Sequence, residues 1–135
     1  MTANTMHVDD RHRFGEPVIR AVAMPADTNP SGDIFGGWLM AHMDMAAGSV
    51  AARRAKGRCV TVAVTSMTFH EPVKVGDELS VYASVVKVGK SSITVEVEAW
   101  RRQLSKPERT RVTEGGFVFV AIDSERKPRP VPPLD

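Results

Sequence analysis

Asn29-Pro-Ser-Gly-Asp-Ile-Phe-Gly-Gly-Trp-Leu-Met-Ala-His-Met-Asp44 opens with turn and glycine chemistry and continues as a nearly all-apolar helix carrying one carboxylate, Asp44. A helix that is apolar around most of its circumference is normally buried. Burying a charge there costs several kcal/mol, or shifts its pKa by roughly a few units. The usual relief is a basic side chain three or four positions away. At those positions Asp44 has Met40, Ala41, Ala47 and Gly48, none of which can neutralise it. The plain alternative is a solvated or ion-paired aspartate on a helix face. Perturbed carboxylates concentrate at functional sites, however, and Asp44 is the first candidate for one.

Outward from this segment, Asn29-Pro-Ser-Gly32 reads as a turn, with Pro at the second position and Gly at the fourth. The helix is expected from about Phe35 to Ala55. Arg53, Arg54 and Lys56 fall in its last turn, where cations complement the dipole, and Gly57 marks the stop. Upstream, Val18 to Met24 is a short strand ending at Pro25. Downstream the chain turns to strand periodicity, with runs at Val60–Phe69, Leu79–Val88, Ser92–Arg101 and Arg111–Ile122. Ile93, Val95, Val97 and Ala99 alternate with Thr94, Glu96 and Glu98, the pattern of a half-exposed antiparallel strand. Phe117 to Ile122 is apolar on both faces, so both are expected to be covered.

This order, strand, long helix and then four strands joined by short turns, predicts an α+β fold: an antiparallel sheet of about five strands wrapped on one long helix. A sheet with one helix leaves an edge and an apolar rim, which argues for dimerisation. Residues 1–15 are polar and aperiodic and are expected to be a disordered tail, so His7 and His12 carry no metal reading. Residues 16–126 form the domain. Residues 127–135, Pro-rich, are expected to extend as a second tail.

The length of 135 residues allows one domain. A net charge of +2 gives no argument for nucleic acid binding. No apolar run reaches the ~18 residues of a membrane span, and with neither a basic nor an apolar stretch in residues 1–10 no secretory signal is expected there. One cysteine, Cys59, excludes an internal disulfide and reads as core filler; a cytoplasmic location is expected.

The segment Met24 to Asp44 resembles the signature of the YciA/BACH-type acyl-CoA thioesterases of the hotdog fold. Val60-Thr-Val-Ala-Val-Thr-Ser-Met-Thr-Phe69, Pro72-Val-Lys-Val-Gly-Asp77 and Gly89-Lys-Ser-Ser-Ile-Thr-Val-Glu-Val97 match the same pattern in order and spacing. The resemblance spans roughly residues 18–132. His70 departs from it, standing where an apolar residue is expected.

The resemblance implies that Asp44 activates water against a thioester carbonyl, although direct attack through a mixed anhydride stays open. It maps the family's turn asparagine onto Asn29, whose amide can orient the water or bind the acyl oxygen. Asn before Pro is also an ordinary turn starter. Gly36-Gly37 costs helix stability, roughly 1 kcal/mol per Gly against Ala. In exchange a carbonyl can approach free backbone N–H groups at the helix start, where donors and dipole stabilise an oxyanion. Close helix–sheet packing is the bland alternative. For the phosphates of CoA a basic rim is needed, and Arg58, Lys90, Ser91 and Ser92 are the candidates. No metal or other cofactor is expected.

Gly89-Lys-Ser91 is not a P-loop, because Ser84 stands where the first glycine should be and no helix follows. No Gly-x-Ser-x-Gly elbow exists either. Two other functions compete: a hotdog hydratase or dehydratase, and a non-catalytic acyl-CoA sensor. His42 lies two positions from Asp44, on a different helix face, which disfavours the first. The first ~15 residues are too short for a DNA-binding segment, which disfavours the second. From the expected helix start to Asp44 the rise is ~14 Å, too far for Asn29 and Asp44 of one chain to hold one reacting group. A homodimer with antiparallel helices is therefore the expected minimal unit. The resemblance agrees and implies a trimer of such dimers.

Overall fold

The computed structural model of the chain describes Thr5–His7 and residues 12–134. Its elements are β1 (Thr5–His7), β2 (Ile19–Val22), a single 3-10 turn (Pro25–Asp27), α1 (Gly36–Ala55), β3 (Cys59–Phe69), β4 (Glu78–Val88), β5 (Ser92–Arg102) and β6 (Glu108–Ala121). The sheet runs β1-β6-β5-β4-β2, with β3 also on β6 and every pairing antiparallel. β5 occupies one side of β6, so β1 and β3 lie end to end along the other, at Glu108–Thr110 and Thr113–Ala121. The five expected strands are all present. The sixth, β1, falls inside the segment read as a tail.

α1 lies across the sheet on a stripe of Leu39, Met43, Ala47, Ala51 and Ala55, all buried. Spacing of four keeps these on one face, and the alanines let the helix backbone come close to the strands. They meet Leu79 and Val81 of β4, Ile93, Val95, Val97 and Ala99 of β5, and Phe117, Phe119 and Ala121 of β6. The expectation of all-round burial does not hold within one protomer: Phe35 and Met45 are 48% and 54% exposed. β3 likewise has no fully buried residue, with Val62, Val64 and Phe69 open, and β6 is its one strand partner among the described residues.

The helix is stopped at Lys56 rather than at the expected Gly57, whose lack of a side chain serves another purpose. Lys56 takes the left-handed conformation (φ 53°), while a Cβ on Gly57 would lie 2.7 Å from Arg129 Nη2. Arg129 needs that space because it donates to Ala55 O (2.9 Å) and Ile122 O (3.0 Å), closing the C-terminal end of α1. The Pro-rich segment is thus extended but held, with Val131 N donating to Lys90 O.

Glu98 corrects a further expectation. It is 2% exposed rather than half-solvated. His12, from the segment read as a tail, covers it: Nε2 donates to Glu98 Oε1 (2.8 Å) and Nδ1 accepts from Phe14 N (3.0 Å). The His12 ring stacks on Tyr82 at 3.7 Å between centroids. Trp100 Nε1 and Arg13 also donate to Glu98. Burial alone would raise the Glu98 pKa; these donors outweigh it and hold the carboxyl down at about 2.

Candidate active site

The turn at Asn29 forms as read. Gly32 N donates to Asn29 O (3.0 Å) and Gly32 has a φ of +87°, the left-handed region that a side chain disfavours. Asn29 Oδ1 accepts from Ser31 N (3.0 Å) and Asp33 N (3.1 Å), so its carbonyl oxygen is spent on the turn. Its amide Nδ2 makes no hydrogen bond among the described residues. The asparagine is a turn former and a free donor at once.

After this loop α1 begins without a cap. Phe35 is the capping residue, no side chain bonds the first turn, and no acidic residue lies in it. Trp38 N and Leu39 N donate to Phe35 O, whereas Gly36 N and Gly37 N find no acceptor among the described residues. Orphan donors at a helix start, with the positive end of the dipole, form an anion-binding position. Gly36 lines a cleft of about 360 Å³ together with Asn29, Asp33, Leu39, Phe69 and His70. A Cβ on Gly36 would meet the Phe69 ring at 3.6 Å, whereas Gly37 faces open space. Of the two glycines only Gly36 belongs to the cleft wall.

Asp44 is elsewhere. It is half-buried, and its partner comes not from the helix but from β3: Thr61 Oγ1 donates to Asp44 Oδ1 at 2.7 Å. Asp44 therefore sits on the β3 side of α1, with Oδ2 unbonded among the described residues. From Gly36 to Asp44 the helix rises about 12 Å. One protomer thus brings Asn29 and Gly36 together and leaves Asp44 apart.

Arg58, Lys90, Ser91 and Ser92 gather at the other end of the sheet. Ala121 N donates to Ser91 O (2.8 Å) and Ile122 N to Arg58 O (3.0 Å), so the two flank the end of β6. Arg58 and Lys90 are exposed, Ser91 and Ser92 half-buried. Among the described residues no group of three or more His, Cys, Asp or Glu converges as a metal site. No helix there is long and apolar enough to cross a membrane.

The sequence reading missed Thr61 and gave His70 no fixed role. A threonine in an alternating strand gives no local signal that it will face a helix residue 17 positions earlier.

A family model described as the thioesterase superfamily matches residues 31–108. Among curated proteins, an uncharacterized acyl-CoA thioester hydrolase of Zymomonas mobilis is 58% identical, over 90% of this chain and 81% of its own. The acyl-CoA thioester hydrolase YciA of Salmonella typhimurium is 50% identical, over 87% and 91%. Among solved structures, a hexameric thioesterase of Yersinia pestis superposes with a TM-score of 0.85 at 51% identity, covering 89% of this chain and 98% of that one.

Proposed function

Since the chain belongs to the thioesterase superfamily, in its hotdog-fold acyl-CoA thioester hydrolase branch, we propose that it hydrolyses acyl-CoA through an Asp44-activated water at a site shared by two subunits. The observation that carries the mechanism is the uncapped helix start beside the free amide of Asn29. The thioester carbonyl oxygen enters there and accepts from Gly36 N–H, with Asn29 Nδ2 as a second donor. Asp44, held at Oδ1 by Thr61, takes the proton of a water at Oδ2 as that water attacks the carbonyl carbon. The tetrahedral oxyanion collapses with cleavage of the C–S bond, the proton held on Asp44 passes to the sulfur so that CoA leaves as thiol, and the acid remains. These steps use side chains, backbone amides and water.

The ~12 Å between Gly36 and Asp44 requires the second subunit. Two antiparallel helices crossing near Met40 place Asp44 of one chain beside Gly36 of the other. What supports this is the open edge of β3, long and partly apolar, on the side of α1 that carries Asp44. Such edges are covered in natural proteins, and an isologous contact covers two at once. The Yersinia structure is hexameric, which supports three such dimers. From Asp44 to Ala55 the helix rises a further ~17 Å, room for an extended pantetheine arm. Arg58 and Lys90 stand at the end of that path for the phosphates, with Ser91 and Ser92 beside them.

The test is release of free thiol from short, medium and long acyl-CoAs. We expect stoichiometric CoA and carboxylic acid. Acyl-CoA binding without thiol release would point to a sensor, and consumption of an enoyl-CoA without thiol release to a hydratase.

A further inference from the structure

His70 lines the Asn29–Gly36 cleft, and its ring is held in a defined way. Nε2 bonds Glu114 Oε2 at 2.6 Å, and Arg111 Nη2 holds the same oxygen at 3.1 Å. A carboxylate at Nε2 keeps the proton there, so Nδ1 is the remaining polar atom of the ring. Among the described residues Nδ1 has no hydrogen-bond partner, and the space the ring lines is the cleft. The ring is half-buried beside Phe69, whose own ring lies over Gly36. An unspent polar atom beside the apolar wall residues Ile34, Leu39, Phe69, Pro72 and Val73 selects among ligands rather than merely enclosing them.

We propose that His70 is a specificity-determining residue that favours acyl groups carrying a hydroxyl near the thioester. The inference rests on the reading of this cleft as the place of the thioester carbonyl. A hydroxyl suits Nδ1 in either charge state: it donates to the neutral ring and accepts from the imidazolium. An anionic acyl group does not suit the wall, because Glu71 and the Lys74-paired Asp33 line it and Glu114 stands behind the ring. An unsubstituted alkyl chain leaves Nδ1 desolvated without a partner.

The experiment compares kcat/KM for 3-hydroxybutyryl-CoA and butyryl-CoA in the wild type, His70→Ile, His70→Asn and Glu114→Gln. The hydroxyacyl-to-acyl ratio is expected to fall about tenfold in His70→Ile, the scale of one hydrogen bond. It should recover in part in His70→Asn, which restores a polar group. In Glu114→Gln, with the ring present but unanchored, it should fall by roughly threefold. Should His70→Ile fail to fold, the last two variants still decide. A ratio equal to the wild-type value in every folded variant overturns the role of His70 while leaving the hydrolase intact. A wild-type protein that releases thiol from neither substrate nor from medium and long acyl-CoAs overturns the function itself, and this inference with it.

Discussion

Asp44→Asn is expected to lose roughly a hundredfold or more in thioester turnover while keeping its fold, the scale of a general-base contribution. The substitution preserves volume, and the asparagine oxygen can still accept from Thr61 Oγ1, so the link between α1 and β3 survives. What disappears is the carboxylate oxygen proposed to take the proton of the attacking water. The loss should fall on kcat with little change in KM, because the group acts only as the reaction proceeds. Steady-state thiol release, with a melting curve to verify folding, makes the measurement. Near wild-type hydrolysis by a folded Asp44→Asn protein would remove Asp44 from the chemistry.

A second large effect is expected far from the site, at Glu98. Its carboxyl is held at about 2 against an ordinary 4.5, since burial would raise it but the donors His12, Arg13 and Trp100 prevail. A folded-state value below the unfolded one stabilises the fold fully above pH 4.5, and that stability is lost as pH falls toward 2. At 1.36 kcal/mol per unit the difference corresponds to about 3 kcal/mol. Glu98→Gln should therefore lower unfolding stability at pH 7 by about 3 kcal/mol, and the gap to the wild type should close on acidification through that window. Urea unfolding at pH 7 and pH 3, at matched protein concentration, tests it. An equal gap at both values would show that the ionised carboxylate is not what stabilises the N-terminal segment.

The parts legible in the sequence are those whose cause is local. β4 and β5 follow from alternation across a tight Gly89 reversal, and α1 follows from the apolar run that the Asn29–Gly32 turn opens. Gly36 and Asp44 stand out because each strains a local rule, a glycine inside a helix and a carboxylate without a helical partner, whereas Asn29, an ordinary turn starter, is singled out only by the family resemblance. What was not legible depends on contacts distant along the chain. β1 is three residues long and too short to show a period. The burial of Glu98 depends on His12, 86 positions away. Gly36 and Gly37 look equivalent until Phe69 is placed over one of them. The near-uniform apolarity of α1 overstated its burial: within one protomer Phe35, Met45 and the open face of β3 stay exposed, and these are the surfaces that the proposed second subunit would cover.

That second subunit is the centre of the account, and mixing two inactive proteins tests it most directly. Asn29→Ala removes the proposed second donor at the helix start, and Asp44→Ala removes the proposed base. In a dimer that takes Asn29 from one chain and Asp44 from the other, a mixed pair contains one doubly damaged site and one intact site. Random pairing makes half of all dimers mixed, so roughly a quarter of wild-type activity per total site should return after subunit exchange. Exchange is verified separately, by mass spectrometry of the mixed species. Recovery near that fraction is the predicted result; no recovery, with exchange demonstrated, would contradict the shared site.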